Sequence, residues 1–282
     1  QRHKRGSIAR RWLAAGMILP WLALPAANAA ELPDCYRAVS ADAPAPEPSR
    51  ALYVVIDQTT PLDGDMKDRI MRLVSDWGRP GDRIKVARFS AHIRGHYPQV
   101  VFDESVLTPP DQAYLYNLRY ADKAGLMDCL KERRGRFQEL FAERLDGVLA
   151  GIDYKTPKTD ILFSLRELAR HMIQNDDAPE KTVLIVSDGL ENSGSLSFYS
   201  GGGVRKLRPK REINRVRKMD LIANWKGAEV YMYGIGLNPD AKAYLRPDRL
   251  EGLREFWERY FVEGNAVVKG LGTPELLVTT LD

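Results

Sequence analysis

Asp57 is the residue in this sequence best placed for chemistry. It ends a run of five apolar residues, 52–56, and a hydroxyl, Thr59, follows two residues later. A continuous apolar run of this length is typical of a strand buried on both faces of a sheet. In open α/β sheets, ligands bind outside the carboxyl ends of the strands, which is where this carboxylate and hydroxyl would lie. Carboxylate and hydroxyl oxygens are typical ligands of hard divalent cations.

A second aspartate, Asp188, ends another apolar run, 182–187, and Thr159 precedes a helical stripe between the two strands. In a doubly wound sheet, the carboxyl ends of strands and the amino ends of helices meet at one edge. We therefore predict that Asp57, Thr59, Thr159 and Asp188 converge there. An all-oxygen set of this kind suits Mg²⁺, with Mn²⁺ or Ca²⁺ as alternatives. The alternative interpretation is that both aspartates only cap turns, a common role for Asp.

The remaining sequence alternates predicted strands and helices. Further strands are predicted at 83–90, 97–103, 182–187 and 229–236, and helices at 66–77, 136–150, 161–172, 213–222 and 250–262. This order predicts an α/β fold, a doubly wound, mostly parallel central sheet with helices on both faces. Asp63 or Asp65 is expected to cap the first of these helices. Residues 104–135 are expected to form a less regular insertion, and the Ser/Gly-rich stretch 192–203 is expected to be flexible.

Three motifs resemble the von Willebrand factor type A (vWA) domain family. The motifs are Asp57-Gln58-Thr59-Thr60-Pro61, Thr159 in Lys-Thr-Asp-Ile, and Asp188 in Ile-Val-Ser-Asp-Gly. That family carries a metal-ion-dependent adhesion site built from Asp-x-Ser-x-Ser, a later Thr and an Asp-Gly. The resemblance spans about 51–262, with 104–135 unmatched. It implies a doubly wound α/β fold and a bound divalent cation whose open position accepts an acidic side chain, or another oxygen, of a partner.

The first motif departs from the family pattern at two positions. Thr59 replaces the first serine and keeps a hydroxyl, whereas Pro61 replaces the second and has no side-chain oxygen. Thr60 is adjacent, but strand-like alternation predicts that it points away. The expected site is therefore partly degenerate: Asp57 is a direct or water-mediated ligand, Thr59 and Thr159 add hydroxyl oxygens, and Asp188 holds a coordinated water. Such a site either binds a cation weakly or has lost it.

The expected function is a protein-binding module and not an enzyme, because no general base, nucleophile elbow or paired carboxylates accompany the site. One alternative is a metal-independent structural scaffold of an envelope complex, which Pro61 favours. A second is a Mg²⁺-dependent, phosphatase-like hydrolase, since a strand followed by Asp-x-x-Thr is similar to haloacid dehalogenase-like enzymes. Those enzymes have Asp-x-Asp, and here Thr59 occupies the position of the second carboxylate.

The amino-terminal residues predict export. Residues 1–29 combine a basic start, an apolar stretch at 12–24 and small residues at Ala27-Asn28-Ala29, which is typical of a signal peptide cleaved after Ala29. The alternative is an uncleaved anchor in the inner membrane. A Pro/Ala-rich segment, 30–50, then leads into a vWA-like domain, 51–282. In a periplasmic or secreted chain, Cys35 and Cys129 predict a disulfide, with two buried free thiols as the alternative.

The charge distribution limits the choice of partners. The formal net charge is +4, but residues 1–30 hold five basic residues and no acid, so the remainder is close to neutral. Nucleic acid is therefore not expected as a partner. The segment from Arg205 to Lys218 holds eight basic residues against one acid, Glu212. It predicts contact with anionic lipid or an acidic partner, and the alternative is a solvated helix face.

Overall fold

The central feature of the fold is a six-stranded sheet. The computed structural model describes residues 32–40, 43, 46–90, 98–153, 159–238, 243–272, 278, 280 and 281. The strands are β1 (Arg50–Asp57), β2 (Asp82–Phe89), β3 (Gln99–Ser105), β4 (Glu180–Val186), β5 (Tyr199–Ser200), β6 (Gly203–Val204), β7 (Glu229–Tyr233), β8 (Leu237–Asn238), β9 (Ala243–Tyr244) and β10 (Val267–Leu271). The sheet order is β10-β7-β4-β1-β2-β3, and β5/β6 and β8/β9 form two short hairpins.

The sheet is parallel except at one edge, where β3 pairs antiparallel with β2. This arrangement confirms the predicted α/β class with a mostly parallel sheet. The edge strand β10 was not predicted, because its five residues include Lys269 and Gly270 and it is only partly buried. The pairing shifts register at both edges, between Val86 and Ala87 of β2 and between Val268 and Gly270 of β10.

Helices cover both faces of the sheet. They are α1 (Cys35–Val39), α2 (Gly64–Leu73), α3 (Gln112–Asn117), α4 (Tyr120–Ala150), α5 (Ile161–Leu168, continued by a π-helical turn, Ala169–Ile173), α6 (Pro209–Lys218) and α7 (Pro247–Glu263). Of the two predicted caps for α2, the structure uses Asp63, whose side chain accepts a hydrogen bond from the Met66 amide at 2.9 Å.

The alternation of side chains along β1 separates two apolar layers. Tyr53 and Val55 face a layer that contains α5, α6 and α7, and Leu52, Val54 and Ile56 face a layer that contains α2 and α4. Because β1 is central, nearly every one of its side chains is buried. This burial explains why its sequence is a continuous apolar run.

The insertion at 104–135 is largely helical, so the prediction of a less regular segment was wrong. It contains α3 and the first half of α4, most of whose side chains are exposed, which leaves no strong apolar stripe in the sequence. The predicted disulfide is present and joins Cys35 of α1 to Cys129 of α4. Cys35, Tyr36 and Leu126 are buried together in a small cluster beside it.

The stretch 192–203, expected to be flexible, is instead ordered, and that prediction was also wrong. It contains β5 and leads into β6, and Leu196 and Phe198 within it are buried with Val204 in the layer that contains α7. Gly201 and Gly202 form the turn between the two strands, and Gly194 and Ser195 lie in a bend before Leu196.

The predicted signal peptide, 1–29, lies outside the described residues. Within the described part of the chain, none of the helices combines the length and the apolar composition that crossing a bilayer requires.

Candidate functional site

The structure brings the four predicted site residues together at the carboxyl edge of the sheet. Asp57 ends β1, and Asp188 follows β4, the parallel neighbour of β1. Thr59 lies in the turn after β1, and Thr159 lies two residues before α5. All four are at least 93% buried. The convergence follows from topology, because adjacent parallel strands end at the same edge.

A directed set of hydrogen bonds surrounds Asp57. Its Oδ1 accepts from the amide and hydroxyl of Thr59, at 2.9 and 2.6 Å, and its Oδ2 accepts from the Ser187 hydroxyl at 2.8 Å. The Thr59 and Thr159 hydroxyl oxygens are 2.6 Å apart. With Asp57 ionised, the Thr59 proton points to the carboxylate, so Thr159 is the donor to Thr59. The hydroxyls thus satisfy both carboxylate oxygens.

Thr60 belongs to the cluster, and the prediction that it points away was wrong. It is fully buried, and its hydroxyl oxygen accepts a hydrogen bond from the Asp188 amide at 3.2 Å. The chain after Asp57 turns at once, with the Thr60 amide bonded to the Asp57 carbonyl, so the two-residue alternation of a strand does not apply. Thr60 therefore links the turn after β1 to the turn after β4, one residue before Pro61.

Sequence reasoning missed two residues of the site, Ser187 and Glu191. Ser187 is a polar residue at the carboxyl end of a buried apolar run. The same pattern identified Asp57, so it could also have indicated Ser187. Glu191 had no local signal: its Oε2 accepts from the Leu162 amide at 3.0 Å, at the amino end of α5. The Asn192 amide bonds to the Thr159 carbonyl at 3.0 Å. Together these bonds fix the turn after β4 against the segment that carries Thr159.

Burial dominates the electrostatics of the three carboxyl groups. It raises the pKa of Asp57, although hydrogen bonds from Thr59 and Ser187 oppose the rise. It raises the pKa of Asp188 well above its ordinary value, and the neighbouring charge of Asp57 adds to the effect. Burial also raises the pKa of Glu191 to about 8. Among the described residues, none of these three carboxyl groups forms an ion pair, so no neighbouring cation opposes the effect of burial, which favours their protonated forms.

The glycine after Asp188 is required by its surroundings. Gly189 has φ +70°, and a Cβ there would lie 2.4 Å from Nε1 of Trp257 in α7. The same nitrogen donates to the Gly189 carbonyl at 3.0 Å. Positive φ is unfavourable for residues with a Cβ, and here there is also no room for one. Trp257 therefore fixes the conformation of the turn that carries Asp188.

We expect Gly189→Ala to lower the free energy of unfolding by about 1–3 kcal/mol, from backbone strain and the displaced indole. Urea unfolding measures this loss. Gly125→Ala is the matched control, because Gly125 lies inside α4 with open space around its Cβ position. The control should stabilise the protein by about 0.5–1 kcal/mol. A Gly189→Ala protein as stable as wild type would contradict the assigned role of Trp257.

Comparison with known proteins gives distant likenesses to several solved structures. No family model and no curated protein matches the chain. Similar solved structures include an aerotolerance-related membrane protein from Bacteroides fragilis (14% identity, TM-score 0.33, covering 79% of this chain and 92% of that one). BatB from Bacteroides thetaiotaomicron shows 15% identity and a TM-score of 0.30, covering 78% and 89%.

The pilus adhesin SpaC from Lactobacillus rhamnosus GG, in its open conformation, shows 13% identity and a TM-score of 0.38. The match covers 80% of this chain but 28% of the adhesin, so this chain corresponds to a small part of that protein. Values this low carry no functional conclusion for the chain. The strand order and the convergence at the carboxyl edge agree with the vWA-like fold expected from the motifs.

Proposed function

We propose that the chain is an exported protein-binding module, without catalytic activity, that recognises a protein partner at the carboxyl edge of its sheet. A divalent cation, Mg²⁺ or alternatively Mn²⁺ or Ca²⁺, would mediate the contact. One observation carries the proposal: two buried carboxyl groups, Asp57 and Asp188, lie close enough to interact electrostatically, beside a cluster of hydroxyl groups that bond to Asp57, and among the described residues neither forms an ion pair. A bound cation would offset the cost of burying this charge.

The donor set fits a hard cation held mainly by hydroxyl oxygens. Both oxygens of Asp57 already accept hydrogen bonds, so Thr59 and Thr159 are the better candidates for direct ligands. Their oxygens are 2.6 Å apart. Adjacent ligands of octahedral Mg²⁺ are about 2.9 Å apart, given bonds of about 2.0–2.1 Å, so a small opening suffices. Asp57 would then orient the Thr59 hydroxyl, and Asp188 would accept from water in the cation's shell.

The expected charge of such a site explains why it would attract an acidic partner. The described residues contain no group of three or more His, Cys, Asp or Glu side chains arranged for a metal ion. Only two of the proposed ligands or water-holding groups, Asp57 and Asp188, are carboxylates, so a divalent cation would keep part of its positive charge and several exchangeable positions. A partner's carboxylate would be a favourable ligand there.

A metal-independent scaffold is the second candidate, and a specific observation favours it. The hydroxyls of Thr59 and Ser187 satisfy Asp57 without any cation, and Pro61 contributes no oxygen. A phosphatase-like reaction lacks comparable support, because Thr59 occupies the position where such enzymes place a second carboxylate.

Calorimetric titration separates the first two candidates. We expect Mg²⁺ and Mn²⁺ to bind wild type, and Thr159→Val and Asp57→Asn each to weaken binding by about 10–100-fold, as loss of a ligand or of its support does. Asp65→Asn, which removes an exposed carboxylate from α2, is the control and should bind as wild type does. Absence of heat with wild type at millimolar metal would exclude the cation site and leave the scaffold.

A further inference from the structure

The helix α6 presents an exposed face without acidic side chains. The helix buries Ile213 and Val216, and its single acid, Glu212, is buried and pairs with Arg205 at 2.8 Å. The opposite side, here called the α6 basic face, consists of Lys210, Arg211, Asn214, Arg215, Arg217 and Lys218, all exposed. Lys206 and Arg208, also exposed, directly precede the helix.

Most of this charge is not compensated within the protein. Arg217 pairs with Glu263 of α7 at 2.5 Å, and Arg215 lies 3.5 Å from Glu212. Within the described residues, Lys210, Arg211 and Lys218 form no ion pair. Lys210 and Arg211 in the first turn oppose the helix dipole, whereas Arg215, Arg217 and Lys218 in the last turn favour it. The three unpaired cations leave the face with a positive potential, which favours an anionic partner outside the chain.

A groove of about 450 Å³ lies beside this face, between α6 and α7. Its lining includes Lys210, Arg217 and Arg259, the acid Glu263, and Val262, which is 61% exposed. The groove thus combines three cations, of which Arg217 and Arg259 pair with acids, with two apolar side chains, buried Ile213 and exposed Val262. This combination suits a phosphate headgroup that continues into an apolar tail.

We propose that the α6 basic face binds the anionic headgroups of a phospholipid bilayer. The described part of α6 exposes no large apolar or aromatic side chain, whereas the centre of a protein–protein interface is apolar and rich in aromatic anchors. Long, flexible Lys and Arg side chains instead adapt to a fluid layer of phosphates. Each contributes about 1 kcal/mol near such a surface, or about fivefold in binding.

The α6 basic face and the candidate cation site are built from different parts of the fold. α6 packs with α5 and α7 on one face of the sheet, whereas Asp57 and Asp188 lie at its carboxyl edge. The lipid contact is therefore independent of the proposed function, and a chelator in the assay keeps the two separate.

Vesicle co-sedimentation of the full chain tests the proposal. The vesicles contain phosphatidylcholine alone or with an equal amount of phosphatidylglycerol. The test variant carries Lys210→Glu, Arg211→Glu and Lys218→Glu. The matched control carries Lys123→Glu, Lys131→Glu and Arg134→Glu, three exposed positions on α4 with the same change in net charge.

We expect wild type and the control to bind the anionic vesicles, and the α6 variant to bind at least about 100-fold more weakly, at about fivefold per cation. Raising the salt from about 0.1 to 1 M should abolish the difference, because the Debye length falls from about 10 to 3 Å. Residues 1–30 add five basic residues in every variant, so the comparison between variants isolates α6.

A nitroxide label supplies a second readout that does not depend on total binding. Placed at Asn214→Cys it should report contact with the anionic bilayer, and placed at Ala124→Cys on α4 it should stay in water. Equal binding by the two triple variants, or a label at 214 that stays in water on bound protein, would overturn the proposal. Binding to poly-glutamate without binding to vesicles would also overturn it and assign the face to an acidic protein.

Discussion

Replacing Cys35 and Cys129 by serine is expected to lower the free energy of unfolding by about 4–5 kcal/mol. The bond joins residues 94 positions apart. In the chain-entropy model, opening a loop of this length raises the conformational entropy of the unfolded chain, which stabilises the unfolded state by about that amount. Besides the disulfide, the short helix α1 is held by a small cluster in which Cys35, Tyr36, Ala43 and Leu126 are buried. Its detachment would also expose this part of α4.

Urea unfolding of the double variant and of wild type measures the effect. Tyr36→Phe is the matched control, because it weakens the same cluster without opening the loop. It removes a hydrogen bond from the Tyr36 hydroxyl to the Thr108 carbonyl, 2.6 Å long, and should cost about 1 kcal/mol. A double variant that loses no more than this control would show that the disulfide does not fix α1 to the domain.

Without metal, the protein is expected to lose stability steadily as the pH rises from about 4.5 to 8. Burial raises the pKa of Glu191 from its ordinary 4.5 to about 8. Between these two pKa values Glu191 is protonated in the folded state and ionised in the unfolded state. The free energy of unfolding therefore falls as the pH rises. The free energy of unfolding falls by about 1.4 kcal/mol per pH unit, and by about 5 kcal/mol over the whole range. The raised pKa values of Asp57 and Asp188 act in the same direction.

Other carboxyl groups cause the protein to lose stability at low pH. The pKa of Asp176 is lowered, mainly by a hydrogen bond from the Ala178 amide and by Lys85, against the opposing effect of burial. The pKa of Glu212 is lowered by Arg205. Their stabilising contribution is complete above their ordinary pKa values and is lost as the pH falls below them. We therefore expect maximal stability near pH 5 in the presence of a chelator.

Urea midpoints measured from pH 4 to 9 test this dependence, with Glu191→Gln as the matched variant. Glutamine keeps the size of the side chain and an oxygen for the Leu162 amide but does not ionise, so the loss toward pH 8 should become shallower. Mg²⁺ should stabilise the protein more at pH 8 than at pH 5. At a hundred times its Kd, the gain in the free energy of unfolding is about 2.7 kcal/mol. A flat profile for wild type would show that Glu191 is solvated in solution.

The parallel core of the fold was predictable because its signal is local. The continuous apolar runs before Asp57 and Asp188 identify strands buried on both faces, and the alternation of strands and helices sets their direction. β10 and the first half of α4 were missed because exposed elements leave weak patterns in sequence. The order in 192–203 depends on buried Leu196 and Phe198, apolar residues that the serines and glycines around them obscured.

The candidate site was predictable to the extent that topology alone determines it. Asp57, Thr59, Thr159 and Asp188 meet because strand and helix ends share one edge. The roles of Thr60 and Glu191 were not predictable, because they depend on the direction of a turn and on a contact 29 residues away in sequence. The binding of a cation remains a prediction for titration.

The two register shifts at the edges of the sheet restrict how other proteins can bind to this one. An intruding strand extends a sheet only where a regular row of amide and carbonyl groups is free. Here the pairing is irregular at β3 and at β10, and charged side chains such as Asp103 and Lys269 lie along them. The protein is thereby guarded against strand addition and the edge-to-edge aggregation that follows from it. Recognition is left to loops and helix surfaces.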